Sequence, residues 1–167
     1  MDRTRWGFIG LGGIAEAFAY GLRQSRTGVL HAAAARDPAR ARAFAERPGA
    51  RAAYGSYDEL LNDRDVSIVY IATPHPMHLE WVLKATAAGK HILVEKPIAV
   101  NALQAEKAVE AARNAGVFMM EGFMYRCHPQ TVLIRGLVES GAVGEVKAID
   151  TSFAGRSSFN PASRLWN

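Results

Sequence analysis

At 167 residues, 49% apolar and 22% charged, the chain is long enough for one full domain and a short extension, and its composition excludes wholesale disorder. The formal net charge of +4 comes from arginines dispersed among acids and alanines, such as Arg40, Arg42 and Arg47, which reads as solvated helix surface and excludes a concentrated nucleic-acid patch. One cysteine, Cys127, excludes an intramolecular disulfide framework and a multi-cysteine zinc site, and the N-terminal apolar run is too short for a signal h-region or a membrane span, so a reducing, cytoplasmic setting is expected.

Trp6-Gly7-Phe8-Ile9 is a short apolar run ending at glycines, after which Ile14, Phe18 and Leu22 recur at four-residue spacing. This predicts strand, tight turn and helix. Val29 to Ala35 is a second strand of weak propensity, and Asp37-Pro38 starts a helix from Ala39 to Glu46. Arg51 to Tyr54 reads as a short third strand, and Ser56 caps a helical turn through Leu61. Ser67 to Ile71 is the clearest buried strand, followed by Thr73-Pro74 and a helix whose Leu79, Val82, Leu83 and Thr86 share a face. Gly89 ends that helix. His91 to Glu95 makes a fifth strand, Asn101 caps a helix from about Ala102 to Ala115 that Gly116 closes, and Val117 to Glu121 is a sixth strand. Strands alternating with helices predict an α/β chain with a doubly wound parallel sheet of Rossmann type, because parallel strands need crossovers and crossover helices cover both faces.

The alternation stops near residue 122, which divides the chain into a dinucleotide-binding domain, 1–122, and the start of another, 123–167. In the latter, Pro129 to Ser140 reads as a helix with Ile134, Leu137 and Val138 on its apolar side, and Gly141 to Gly144 as a turn. Val146 to Phe153 reads as a strand with no partner in the chain. Such an orphan is expected to aggregate or to pair between copies as a homo-oligomer contact. Arg164-Leu165-Trp166-Asn167 carries no helix stop or turn signal, which predicts that the natural protein continues.

The turn Gly10-Leu11-Gly12-Gly13-Ile14-Ala15 gains meaning from its position between the first strand and the first helix. Gly10 permits the sharp bend, Gly12 lets the backbone approach a pyrophosphate, and Ala15 allows close packing of helix on strand. Gly13 and Ile14 open the helix, whose free N–H groups face the phosphates. An acid that binds the adenosine ribose of NAD is expected at the end of the second strand, but Ala35 stands there, and Arg36 follows with a planar fork suited to a 2′-phosphate. NADP is therefore the expected cofactor, with NAD as the alternative, and Asp37 either caps the next helix or binds ribose. Thr73 and Pro74 follow the strongest strand and belong at the carboxyl edge of the sheet, beside the cofactor. His75 and His78 lack a third ligand, so no metal is expected and His78 is read as a capping or hydrogen-bonding group. Lys96, in Glu95-Lys96-Pro97, also follows a strand. Its ammonium either holds a substrate hydroxyl and stabilises a developing alkoxide or forms a surface ion pair of little worth.

These motifs, together with Ala88-Gly89-Lys90 and the stretch Glu121-Gly122-Phe123-Met124-Tyr125-Arg126-Cys127-His128-Pro129, resemble the Gfo/Idh/MocA oxidoreductases. The later stretch resembles the branch containing glucose–fructose oxidoreductase, NADP-dependent xylose dehydrogenase and dimeric dihydrodiol dehydrogenase. The resemblance implies a second, mostly antiparallel α/β domain that supplies substrate pocket and dimer interface, of which Val146 to Phe153 is the first strand. It implies that Glu95 and Pro97 place a catalytic Lys96 by the nicotinamide, that Thr73, Pro74 and His78 lie near the cofactor, that Tyr125, Arg126 and His128 either line the cleft near it or pack the junction between domains, and that Arg164 and Trp166 cap it in the intact enzyme. The implied activity is hydride transfer between NADP and a sugar, cyclic polyol or diol. A non-catalytic NADP(H)-binding module, or an isolated Rossmann fragment, is the competing reading.

Overall fold

The computed structural model describes residues 3–47, 49–152 and 154–155, and the chain divides into two compact units, Met1–Phe123 and Met124–Asn167. Six strands form the first unit: β1 Thr4–Ile9, β2 Gly28–Ala34, β3 Ala52–Tyr54, β4 Ile68–Ile71, β5 His91–Val94 and β6 Met119–Glu121. Their spatial order is β3-β2-β1-β4-β5-β6, and every neighbouring pair is parallel. The crossovers carry α1 Gly13–Arg23, α2 Pro38–Glu46, α3 Tyr57–Asn62, α4 His78–Ala87 and α5 Ala102–Asn114, with a 3-10 turn at His75–Met77 leading into α4.

Strand alternation sends neighbouring residues to opposite faces and so builds two cores. On one face Ile9, Val69, Ile71, Ile92 and Val94 meet Leu60, Trp81, Val82, Ala85 and Ala108. On the other, Phe8 and Tyr70 meet Ala15, Ala19, Leu22 and Phe44. Each large apolar side chain buried this way contributes roughly 1.5–3 kcal/mol. The alanines of β2 carry little strand propensity; Ala32 and Ala34 are buried in the first core and Ala33 in the second, so burial holds the strand.

Helix ends follow the sequence signals. Asp37 accepts from Ala39 N at 2.9 Å, Ser56 and Glu59 form a reciprocal capping box, and Asn101 accepts from Gln104 N at 2.9 Å. Gly89 and Gly116, both at φ +67°, end α4 and α5. Two helix faces differ from expectation. α1 buries Ala15, Ala19 and Leu22, while Ile14 is exposed; α4 buries His78, Trp81, Val82, Ala85 and Thr86, while Leu83 is exposed. In α1 alanines supply two of the three buried positions, whereas in α4 the buried face runs through His78, Trp81, Val82, Ala85 and Thr86 and leaves Leu83 outside it.

The second unit holds a 3-10 turn at Met124–Cys127 and helix α6, Pro129–Glu139, whose side chains include no buried residue. His128 caps α6, its Nδ1 accepting from Gln130 N at 3.2 Å. The strand expected over Val146 to Phe153 is not found in its described part, residues 146–152, and Phe153 lies outside the described residues. A strand exists through its ladder, and no neighbouring strand pairs with this stretch among the described residues. Trp166 and Arg164 also lie outside the described residues.

Candidate functional site

Because all six strands are parallel, their carboxyl ends share one edge, and chain direction across the sheet reverses between β1 and β4. Loops leaving neighbouring strands there run apart and open a crevice. Gly10 follows β1 with φ +84°, and a Cβ on it would lie 2.7 Å from the Ala72 carbonyl carbon and oxygen and 2.8 Å from Thr73 N. Conformation and close approach both require glycine here. Gly12 caps α1 by backbone alone at φ −93°, and a Cβ at Gly12 or Gly13 would meet nothing within 4 Å. The turn is thus wedged on the loop after β4 on one side and open on the other. The first N–H groups of α1, from Gly13 and Ile14, have no intrahelical partner and no side-chain cap, which leaves them for an anion.

Ala15 is fully buried beneath this turn. Arg40, read from the sequence as solvated helix surface, is engaged instead: its Nη2 donates to Leu11 O at 2.7 Å and ties α2 to the glycine turn. At the end of β2, Ala35 is buried and Arg36 exposed, and Asp37 is used as the cap of α2.

Thr73 is buried, and its Oγ1 has no hydrogen-bond partner, a condition shared by Trp81 Nε1 and Thr86 Oγ1 of α4. A buried hydroxyl left unmatched costs about 1–3 kcal/mol, so an orphan beside the glycine turn fits a site completed by a ligand. Pro74 begins the 3-10 turn and its carbonyl accepts from Met77 N at 2.9 Å. His78 is fully buried, with Nδ1 2.8 Å from Pro97 O and Nε2 2.9 Å from Thr73 O. Both ring nitrogens face carbonyl oxygens, so the ring sits between the loop after β4 and the loop after β5.

Glu95 follows β5 and accepts from the Tyr70 hydroxyl at 2.6 Å. Burial, then the Glu95 hydrogen bond and charge, push the Tyr70 phenol well above its ordinary value, so the hydroxyl keeps its proton as donor. Lys96 is exposed between Glu95 and Pro97, the Lys96–Pro97 peptide is cis, and the ammonium makes no ion pair among the described residues. Arg126 and Tyr125 lie in the 3-10 turn of the second unit.

A second polar cluster sits where chain enters β4 and β5. His31 Nε2 is 3.3 Å from Asp63 Oδ2, which also accepts from Tyr54 OH at 3.0 Å, and Asp65 pairs with Arg5 at 3.1 Å. Lys90 Nζ donates to Asp63 O at 2.6 Å and to Val66 O at 2.8 Å. Burial lowers the Lys90 ammonium, against the Asp63 charge. Burial raises the Asp63 carboxyl, but hydrogen bonds from Asp65 N–H and Tyr54, with the charges of His31 and Lys90, bring it net below its ordinary value. His31, Asp63 and Asp65 come close enough together to hold a cation, yet Arg5, Lys90 and Tyr54 already answer their charge.

Residues 4–123 match the family model described as an oxidoreductase family with an NAD-binding Rossmann fold, Gfo/Idh/MocA. The chain belongs to the Gfo/Idh/MocA oxidoreductases. It is 39% identical over 165 residues to trans-1,2-dihydrobenzene-1,2-diol dehydrogenase of Mus musculus, covering 98% of this chain and 50% of that protein. Among solved structures, a 3-ketoreductase from Actinomadura kijaniata in complex with TDP-benzene and NADP superposes with a TM-score of 0.80 at 36% identity, over 86% of this chain and 46% of that one. Scyllo-inositol dehydrogenase from Lactobacillus casei, with NAD(H) and scyllo-inositol, gives 0.80 at 25% identity, over 86% and 43%. The chain thus carries the nucleotide-binding domain of a Gfo/Idh/MocA oxidoreductase and spans about half the length of the curated relatives it matches. Among the described residues no helix is long and apolar enough to cross a membrane.

Proposed function

We propose that this chain is the NADP-binding part of a cytoplasmic dehydrogenase that transfers hydride between the nicotinamide and a CH–OH carbon of a sugar, cyclic polyol or diol. In this reading residues 1–122 hold the cofactor and residues 123–167 begin a substrate domain. The observation that carries it is the convergence of the glycine turn, Thr73 and Glu95-Lys96-Pro97 on one sheet edge at the β1/β4 switch point. The mouse relative is named for a diol, and the two structural relatives contain NADP or NAD(H).

The bound nicotinamide supplies or accepts the hydride. Gly10 sets the bend, while the N–H groups of Gly12, Gly13 and Ile14 face the pyrophosphate. The Thr73 hydroxyl and Pro74 line the crevice. Glu95 and Pro97 hold the turn in which the Lys96 ammonium donates to the substrate oxygen and stabilises negative charge developing there. At the adenosine end no free acid stands at the close of β2, since Asp37 is committed to its cap. Arg36, exposed at the close of β2, offers a guanidinium fork there instead, which supports a 2′-phosphate.

Nicotinamide-fluorescence titration of the chain with NADPH and NADH tests the cofactor assignment. NADPH is expected to bind at least roughly tenfold tighter, the equivalent of about 1.4 kcal/mol, and Arg36→Ala to erase most of that difference. Equal affinities in the unsubstituted chain, or tighter NADH, reject it.

A further inference from the structure

Three residues around Lys96 are pinned by side chains from three other elements. Tyr70, on β4, donates its hydroxyl to Glu95 Oε1 at 2.6 Å. His78, opening α4, sets Nδ1 2.8 Å from Pro97 O, and Glu121, closing β6, accepts from Ile98 N at 2.8 Å. We propose that Tyr70, His78 and Glu121 are positioning residues that fix the turn carrying Lys96, a role that rests on the assignment of Lys96 to the nicotinamide side.

The clamp closes from both faces of the sheet. Tyr70 belongs to the core beneath α1 and α2, whereas His78 begins the helix whose Trp81, Val82 and Ala85 lie in the opposite core. Glu95 N donates to Ile71 O at 2.9 Å, so the turn starts as a continuation of the ladder and is then held at residues 95, 97 and 98. Lys96, between these anchors, has no side-chain hydrogen bond or ion pair among the described residues. Its ammonium stays available while its Cα is fixed. Ordering a backbone residue costs conformational entropy, and here that ordering precedes any ligand, as preorganised catalysis requires.

The anchors are also more than solvation of loose backbone. Glu95 is only half-buried, where water could serve its carboxylate, yet a buried tyrosine is aimed at it. With Nδ1 protonated the imidazole of His78 donates to Pro97 O, and as the imidazolium it also donates to Thr73 O and bridges the two loops. The Lys96 turn is thereby registered against the loop that receives Gly10.

The test uses Tyr70→Phe, Glu121→Ala and Glu121→Gln in this chain, with amide hydrogen exchange of Glu95 and Ile98 read by NMR without ligand. Tyr70→Phe is expected to speed exchange at Glu95, and Glu121→Ala at Ile98, at least tenfold while β1 and the remainder of β4 keep their protection. Glu121→Gln, which retains an acceptor oxygen, should restore slow exchange at Ile98. Unchanged exchange at Glu95 and Ile98, or an equal rise throughout the sheet, overturns the proposal. With NADPH as probe, Tyr70→Phe should reproduce part of the change in bound nicotinamide emission caused by Lys96→Ala, although its ammonium is intact. Faster exchange with wild-type emission in Tyr70→Phe, where Lys96→Ala does alter emission, also overturns it. If Lys96→Ala leaves emission unchanged, the nicotinamide assignment of Lys96 fails, and with it the positioning role, while the exchange data still report separately whether the turn is clamped.

Discussion

A methyl group at position 12 should separate binding from folding. In the free chain a Cβ on Gly12 meets nothing within 4 Å, and φ −93° suits any residue. The folding cost of Gly12→Ala is then the N-cap preference alone, at most about 1 kcal/mol of a domain stability of roughly 5–15 kcal/mol. With a dinucleotide present, the same open volume is where the pyrophosphate must approach the backbone N–H groups. Losing one hydrogen bond to a charged group costs about 1.5–3 kcal/mol, a weakening of roughly ten- to more than a hundredfold. Gly10→Ala behaves differently. Its φ of +84° costs about 1–2 kcal/mol for an L-residue. A Cβ 2.7 Å from the Ala72 carbonyl adds an overpacking term of about 1–3 kcal/mol, so stability falls by about 2–5 kcal/mol. Urea unfolding and NADPH titration of both variants give the comparison. Wild-type NADPH affinity in Gly12→Ala, or a loss below about 0.5 kcal/mol in Gly10→Ala, would refute the reasoning.

Two further outcomes follow from groups outside the crevice. The folded-state carboxyl of Asp63 lies below its ordinary value of 3.8, so its stabilisation is fully present above that pH and is lost as pH falls through the lower folded value. Urea midpoints measured from pH 6 down to pH 2.5 should therefore drop less steeply for Asp63→Asn than for the wild type, although the variant starts lower; parallel curves would dismiss the assignment. Asn101→Ala removes the acceptor for Gln104 N at 2.9 Å and should cost about 1 kcal/mol in urea unfolding without altering NADPH affinity. A change in affinity would mean that α5 reaches the site.

The sheet and its edge were legible because strand and helix periods differ and because parallel strands force every post-strand loop to one side. That is enough to gather Gly10, Thr73 and Glu95 from residues distant in sequence. The pairings that make the edge rigid were hidden. Tyr70 meets Glu95 only because Tyr70 registers against Leu93, two residues before Glu95 on the neighbouring strand, and register is a tertiary property. Arg40 was obscured by its company of exposed arginines, since nothing local shows that one of them reaches 29 residues back to Leu11 O. The face of α1 is hard to read where the buried stripe is alanine, since Ala15 and Ala19 carry little apolar signal and Ile14 draws the assignment to the exposed side; in α4 Val82 and Thr86 are buried as expected, and Trp81, not Leu83, completes that face.

The segment from Tyr70 to His78 explains why both ends of the crevice belong to one site. The Thr73 amide nitrogen lies where a Cβ on Gly10 would intrude, while the Thr73 carbonyl oxygen faces His78 Nε2, whose other nitrogen faces Pro97. The glycine turn and the Lys96 turn are therefore registered against the two faces of a single peptide loop rather than against each other. The same geometry accounts for spending a buried histidine and a buried tyrosine on one surface turn. Without them the turn carrying Lys96 would be held only by the Glu95 N–H on Ile71 O and the Ile98 N–H on Glu121.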